Sequence, residues 1–294
     1  MRVVMTLIAA ARAQSDLPGI IAALVDDLPS SEMPDWLAPG IACDLALAAD
    51  AATAEQAARR AIGSRAIDVL VQPAEGRRKR VLVADLESTI IENEMLDELA
   101  GFLGLRDHVA AITARAMNGE LDFAAALAER VALLKGLPES VLDEAAMRIR
   151  LMPGARALLA TSRAHGVRTA LVSGGFTVFA ERIAAELGFD RVVANRLDIA
   201  GGRIAGTVAR PLVTGETKRA ALLELVAEEG VSPEAALAVG DGANDSAMLA
   251  AAGLGVAFHA KPAVAAAARW RIGHGDLTGL LYVQGYRAAE IIPA

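Results

Sequence analysis

The sequence predicts an α/β protein: a doubly wound, Rossmann-like parallel sheet with a helical cap inserted after its first strand, preceded by a small N-terminal α/β domain. Three observations predict it. Short apolar runs end repeatedly in polar or glycine-rich turns that open helices, the pattern of a parallel sheet with helices on both faces. Helical segments at about residues 93–151 interrupt that alternation directly after its first strand. A charged run, residues 75–80, separates a weaker strand–helix alternation from the stronger one. The expected division is therefore residues 1–74 and 75–294, and 294 residues suffice for both parts.

In the first part, β-branched Val3, Val4, Thr6 and Ile8 predict a strand over residues 3–8. Residues 17–28 predict a helix, with Ile20, Ile21, Leu24, Val25 and Leu28 at three- and four-residue steps. Pro29, Pro34 and Pro39-Gly40 punctuate an expected loop. Residues 41–48 predict a strand, 54–62 a helix and 67–71 a third strand, making one sheet with helices on one face. Residues 75–80 hold four basic side chains and read as a solvated linker. In the second part, Val81-Leu82-Val83-Ala84 is wholly apolar and predicts a buried parallel strand. The cap helices are expected at 96–105, 123–134 and 141–149. Strands then follow at 169–172, 192–194, 236–239 and 254–257, helices at 176–187, 218–229 and 245–251, and a hairpin around Gly201-Gly202 within 195–211.

Composition excludes several partners. Ten aromatic residues against 65 alanines leave little to stack bases on, and a net charge of −7 disfavours a phosphate backbone, so no nucleic-acid partner is expected. The single cysteine, Cys43, excludes an internal disulfide and a Cys-rich metal site, and four scattered histidines lack ligand spacing. No apolar run is long enough to span a bilayer, so no membrane partner is expected either. Residues 1–13 imitate a short secretion signal, but their single-Arg start and short apolar core favour a strand and a cytoplasmic protein.

In doubly wound sheets ligands bind at the carboxyl ends of the strands. Three such ends carry chemistry. Asp85 and Glu87, two residues apart, can pair a nucleophile with a proton carrier; the plainer reading is an acidic helix start capped by Ser88 or Thr89. Ser173-Gly174-Gly175 offers a hydroxyl and unhindered backbone N–H groups to an anion, or is simply a tight turn. Asp241, Asn244 and Asp245 supply hard oxygens of the kind Mg²⁺ prefers, or form an exposed turn. Lys218 opens a helix, where the macrodipole disfavours a cation; it is a surface charge unless the fold turns it toward the carboxylates. Together they suit phosphoryl transfer, which rests on positioning and electrostatics.

Residues 85–89, Ser173-Gly174-Gly175, Lys218 and residues 240–245 occur in the order of the four motifs of the haloacid dehalogenase superfamily. The stretches 92–100, 117–123 and 130–137 resemble the phosphoserine phosphatases within it, across residues 81–272, while the N-terminal part looks like a degenerate ACT-type domain. The resemblance implies hydrolysis of O-phosphoserine, the last step of serine biosynthesis, by a Mg²⁺-dependent enzyme in which Asp85 becomes an aspartyl phosphate. It implies a metal held by Asp85, the Glu87 carbonyl and Asp241, with Asn244 and Asp245 supporting that end. Ser173, Gly174, Gly175 and Lys218 would hold the phosphoryl group. Glu94 would meet the substrate ammonium and Arg130 its carboxylate, with Met117 and Phe123 closing the pocket; otherwise Arg130 pairs with a helix neighbour such as Glu129 or with a nearby acid, and Met117 and Phe123 are cap core. The expected partner is a small phosphoamino acid, with a second copy of the chain as a candidate for a homodimer.

The pattern departs from the family at Glu87, where aspartate is usual. Glu keeps the carboxyl but adds a methylene. A working variant, a slow enzyme and a non-catalytic phosphoserine or serine binder are the three readings; since every other motif position fits, the working variant is expected. Transfer of phosphate to or from another small alcohol, such as homoserine, is the rival chemistry.

Overall fold

The computed structural model describes residues 2–28, 32–117 and 120–293, with Met117 described by its backbone alone. Its first sheet is built from β1 (Val3–Ala9), β2 (Asp35–Ala38), β3 (Ala42–Leu47) and β4 (Ile67–Pro73), antiparallel in the order β2-β3-β1-β4. Helices α1 (Leu17–Asp27) and α2 (Ala51–Ile62) complete the layer. The strand β2 corrects the expected loop. It is too short to show an alternation between its flanking prolines, and Gly40 (φ +72°) turns it back onto β3.

Alternation along β1 explains why all seven of its residues are buried. Val3, Met5 and Leu7 face α1 and α2 and share a core with Leu17, Leu24 and Ala58. Ile8, on the other face, packs into the core of the second part beside Leu280 and Leu281.

The charged run between the two parts is not a solvated linker. Arg77 Nη1 donates to Asp44 Oδ2 at 2.6 Å, and its Nη2 donates to Thr6 Oγ1 at 3.1 Å and to Val283 O at 3.1 Å. Lys79 is buried and donates to Gly76 O and Glu234 O, and the Arg78 guanidinium lies 4.1 Å over the Tyr286 ring. Two apolar faces press together here, so carbonyls cut off from water must find donors, and these cations supply them. Asp68 adds to the junction by accepting the N–H groups of Gly273, His274 and Gly275 at 2.8, 3.1 and 2.7 Å.

The second sheet holds β5 (Val81–Ala84), β6 (Arg168–Phe176), β7 (Arg191–Asn195), β10 (Ala236–Gly240), β11 (Leu254–Phe258) and β12 (Trp270–Ile272). All its pairs are parallel, in the order β12-β11-β10-β5-β6-β7. The order in which strands are added reverses at β5, with β6 and β7 on one side and β10 to β12 on the other, which puts a crevice at the ends of β5, β6 and β10. The expected hairpin is β8 (Leu197–Ala200) and β9 (Arg203–Val208), turned by Gly201 and Gly202 at φ +58° and +70°. Helices α7 (Ala155–Ala164), α8 (Thr177–Leu187), α9 (Gly215–Glu228), α10 (Ser246–Ala251), α11 (Pro262–Ala267) and α12 (Gly279–Tyr282) surround the sheet.

Between β5 and α7 stand α3 (Met95–Gly101), α4 (Arg106–Met117), α5 (Phe123–Leu133) and α6 (Val141–Ala146). The helix expected over 96–105 ends early, because Gly104 takes φ +69°, and α4 is an element the periodicity did not reveal. Its apolar stripe is narrow: among its described aliphatic side chains only Val109, Ile112 and Ala116 are buried. The glycine-rich end of β6 also differs from expectation: the strand runs on through Ser173-Gly174-Gly175 to Phe176, and α8 starts only at Thr177.

Candidate active site

Strand β5 ends at Ala84, and the Asp85 N–H continues its ladder to Val239 O at 3.0 Å, aiming the side chain out of the sheet end. The chain then tightens: Leu86 O accepts from the N–H groups of Thr89, Ile90 and Ile91, and Ser88 takes φ +55°. Lys218 sits in the first turn of α9, a helix capped by Thr214. It is fully buried, and its Nζ donates to Asp85 Oδ1 and to Asp245 Oδ1, both at 2.7 Å. The surface reading of Lys218 is therefore wrong, since two carboxylates offset both its desolvation and the unfavourable helix end. Asp245 Oδ2 accepts the N–H groups of Asp241 and Gly242 at 3.1 and 3.0 Å, closing the loop after β10 around the lysine.

The site is short of positive charge. Asp85, Asp241 and Asp245 bring oxygens to within 4.8 Å of one another, all buried. Burial first, and Asp245 second, push Asp85 up to about 7 despite Lys218. Burial, followed by the charges of Glu94, Asp245 and Asp85, drives Asp241 well above the carboxylate range. Burial alone would lower Lys218, but Asp245 and Asp85 outweigh it and hold the ammonium above its usual value. Asp241 Oδ2 is buried without a hydrogen bond, with Lys261 Nζ at 3.4 Å as its ion-pair neighbour. An orphaned hard oxygen in a crowd of carboxylates fits a divalent cation.

Glu87 crosses from the sheet to the cap. Its Oε1 accepts the Met95 N–H, the first of α3, at 2.9 Å. Burial and then Glu94 raise its carboxyl well above the ordinary range. Gly175 makes room for it: a Cβ there would lie 2.6 Å from Glu87 Oε2. Ser173 is buried and its Oγ accepts the Gly175 N–H at 2.9 Å. Gly174 allows the lid to close, since a Cβ on it would lie 2.8 Å from Phe123 Cζ. Asn244 lines the same space, and its Oδ1 is buried without a partner.

The cap supplies the remaining wall with Glu94, Leu96, Phe123, Leu127 and Arg130. Glu94 Oε1 accepts the Ser88 hydroxyl at 2.6 Å. Arg130 is buried, and its Nε and Nη1 donate to Ala126 O at 3.0 Å and Thr113 Oγ1 at 2.8 Å, so the neighbour-pairing alternative with Glu129 does not describe it. The Met117 side chain, expected over the pocket, lies outside the described residues, as do Asn118 and Gly119. Sequence reasoning missed Thr113 and also Asn195, which donates to Gly174 O at 2.7 Å and accepts the Val213 N–H at 2.8 Å, pinning the glycine-rich end of β6. A lone Asn at a strand end carries no sequence signal.

Residues 82–250 match the haloacid dehalogenase-like hydrolase family, and the chain belongs to it. The phosphatases of this family generally use a metal ion. Among its relatives the chain is similar to the phosphoserine phosphatase of Archaeoglobus fulgidus, at 42% identity over 236 residues, covering 80% of this chain and 69% of that one. It is 46% identical over 215 residues to a phosphoserine phosphatase of Mycobacterium tuberculosis, covering 73% of this chain but only 53% of the relative, about half its length. Among solved structures, a haloacid dehalogenase family hydrolase from Salmonella enterica serovar Typhi superposes with a TM-score of 0.83 at 28% identity, covering 96% of this chain and 98% of that one. A phospho-aspartyl intermediate analogue of a phosphoserine phosphatase superposes with a TM-score of 0.67 at 37% identity, covering 70% of this chain and 98% of that one. Among the described residues no helix is long and apolar enough to cross a membrane.

Proposed function

We propose that this chain hydrolyses O-phosphoserine to serine and phosphate through an aspartyl phosphate on Asp85. The observation that carries the reading is the buried Lys218 ammonium, held between Asp85 and Asp245 where phosphoryl charge would gather. Phosphoserine phosphatases related to this chain, and the phospho-aspartyl analogue that superposes on it, support the same chemistry. Mg²⁺ is the ion assigned to Asp85, Asp241 and the Glu87 carbonyl, with Asp245 orienting the loop; when bound it neutralises charge on the transferring group. Residues 1–74 form the ACT-like part and 75–294 the phosphatase part, capped over about 93–151.

In the first half-reaction an Asp85 oxygen bonds to phosphorus, the bond from phosphorus to the serine oxygen breaks, and the Glu87 carboxyl gives that oxygen its proton. In the second, Glu87 takes a proton from the water that attacks the aspartyl phosphate, restoring both residues and releasing phosphate. Ser173 and the backbone N–H groups at the glycine-rich end of β6, with Lys218, hold the phosphoryl oxygens. Glu94 reads the ammonium and Arg130 the carboxylate, so a zwitterion is gripped from both ends, while Phe123 closes over the small side chain and excludes water. Phosphate release from phosphoserine, with and without added alcohols such as homoserine, tests the reading. Metal-dependent turnover to free phosphate supports it; transfer to the alcohol alone, or binding without turnover, overturns it.

A further inference from the structure

Three cap helices meet at one oxygen. Thr113 of α4 is buried, and its Oγ1 lies 2.8 Å from Asp97 Oδ1 on α3 and 2.8 Å from Arg130 Nη1 on α5. A guanidinium only donates, so the hydroxyl accepts from Arg130, and its single hydrogen is left for an acceptor. Asp97 at 2.8 Å is a closer and charged acceptor than Val109 O at 3.1 Å. Arg130 is thereby fixed by Thr113 and by Ala126 O, which use two of its five N–H donors.

We propose that Thr113 is a positioning residue for substrate selection: it passes the influence of Asp97 to Arg130 through a neutral hydroxyl, fixing the guanidinium while leaving its pocket-facing donors for a carboxylate. The inference rests on the reading of Arg130 given above. A direct Asp97–Arg130 pair would be bidentate and would use up an edge of the fork that the substrate needs. The spacer keeps orientation and availability together. It also ties α3, α4 and α5 to the same group, so the selective contact and the closed cap form as one unit.

Asp85→Asn, which stops turnover, provides the background for calorimetric titration in the presence of Mg²⁺. The ligands are phosphoserine and phosphoethanolamine, which keeps phosphate and ammonium but lacks the carboxylate. Adding Thr113→Val should weaken phosphoserine binding about tenfold, the scale of one hydrogen bond to a charged group, and leave phosphoethanolamine unchanged. Thr113→Ser should restore the preference. Equal weakening of both ligands, or no change in either, overturns the relay. If Thr113→Val does not fold, Asp97→Asn decides in its place: selective loss of phosphoserine supports the relay and an unchanged ratio overturns it. Should the Asp85→Asn chain itself show no preference for phosphoserine, the reading of Arg130 fails first, and the relay with it.

Discussion

Replacing Glu87 with Asp restores the residue type usual at this position of the family and should nevertheless slow this protein. Deleting one methylene draws the carboxyl back by about 1.5 Å, one C–C bond. The Met95 N–H, now 2.9 Å from Oε1, then falls beyond hydrogen-bond reach. Losing that contact costs about 1.5–3 kcal/mol of positioning, and a misplacement of ~1 Å at a reacting centre costs on the order of 10²-fold in rate. The missing side chain of Gly175, where a Cβ would lie 2.6 Å from Glu87 Oε2, makes room for the full length of glutamate. Steady-state phosphate release should therefore show kcat reduced about 100-fold with KM little altered, because Glu87 acts on the leaving oxygen and on water rather than on binding. A variant as fast as the native chain, or faster, would refute the argument that this site is built around glutamate.

Lys218→Met leaves the Asp85 and Asp245 carboxylates facing each other in a dry site, so urea unfolding without added metal should show a loss of about 3–5 kcal/mol, and turnover should vanish. Mg²⁺ should raise the thermal midpoint of the native chain, and Asp241→Asn, which removes the orphaned oxygen, should shrink that shift markedly in a melting assay. Gly174→Ala would push a methyl to within 2.8 Å of Phe123 Cζ; the cap should stay ajar, with kcat/KM down about tenfold and the melting midpoint nearly unchanged. Arg77→Ala, remote from the chemistry, should cost about 3 kcal/mol of stability by stranding Asp44 in the junction, while leaving KM for phosphoserine unaltered.

What the sequence made legible lies at strand ends. The apolar run before Asp85 and the glycines around Ser173 and Asp241 record a backbone direction, and in a parallel sheet direction alone brings those three loops to one edge. Lys218 was legible only through its order among motifs, because nothing local distinguishes it from a surface lysine; only the fold shows that it points inward. The junction at Arg77, Thr6 and Asp44 was illegible for a related reason. Its partners are separated by 33 and 71 residues, so a run of basic residues looked solvated until two packed faces removed the water. The cap helix α4 hid behind a narrow apolar stripe, and with it Thr113, whose value lies entirely in partners on two other helices. Periodicity reports burial against a core, not which polar groups converge.

On the proposed mechanism, Asp85 carries the phosphoryl group between substrate and water. Rapid acid quenching of the protein during turnover of phosphoserine, followed by mass spectrometry of its peptides, tests it most directly. One phosphoryl group should appear on the peptide containing Asp85, discharged by base or hydroxylamine and missing from Asp85→Asn. Phosphate released at full rate with that peptide never modified, or by Asp85→Asn itself, would rule out Asp85 as the carrier.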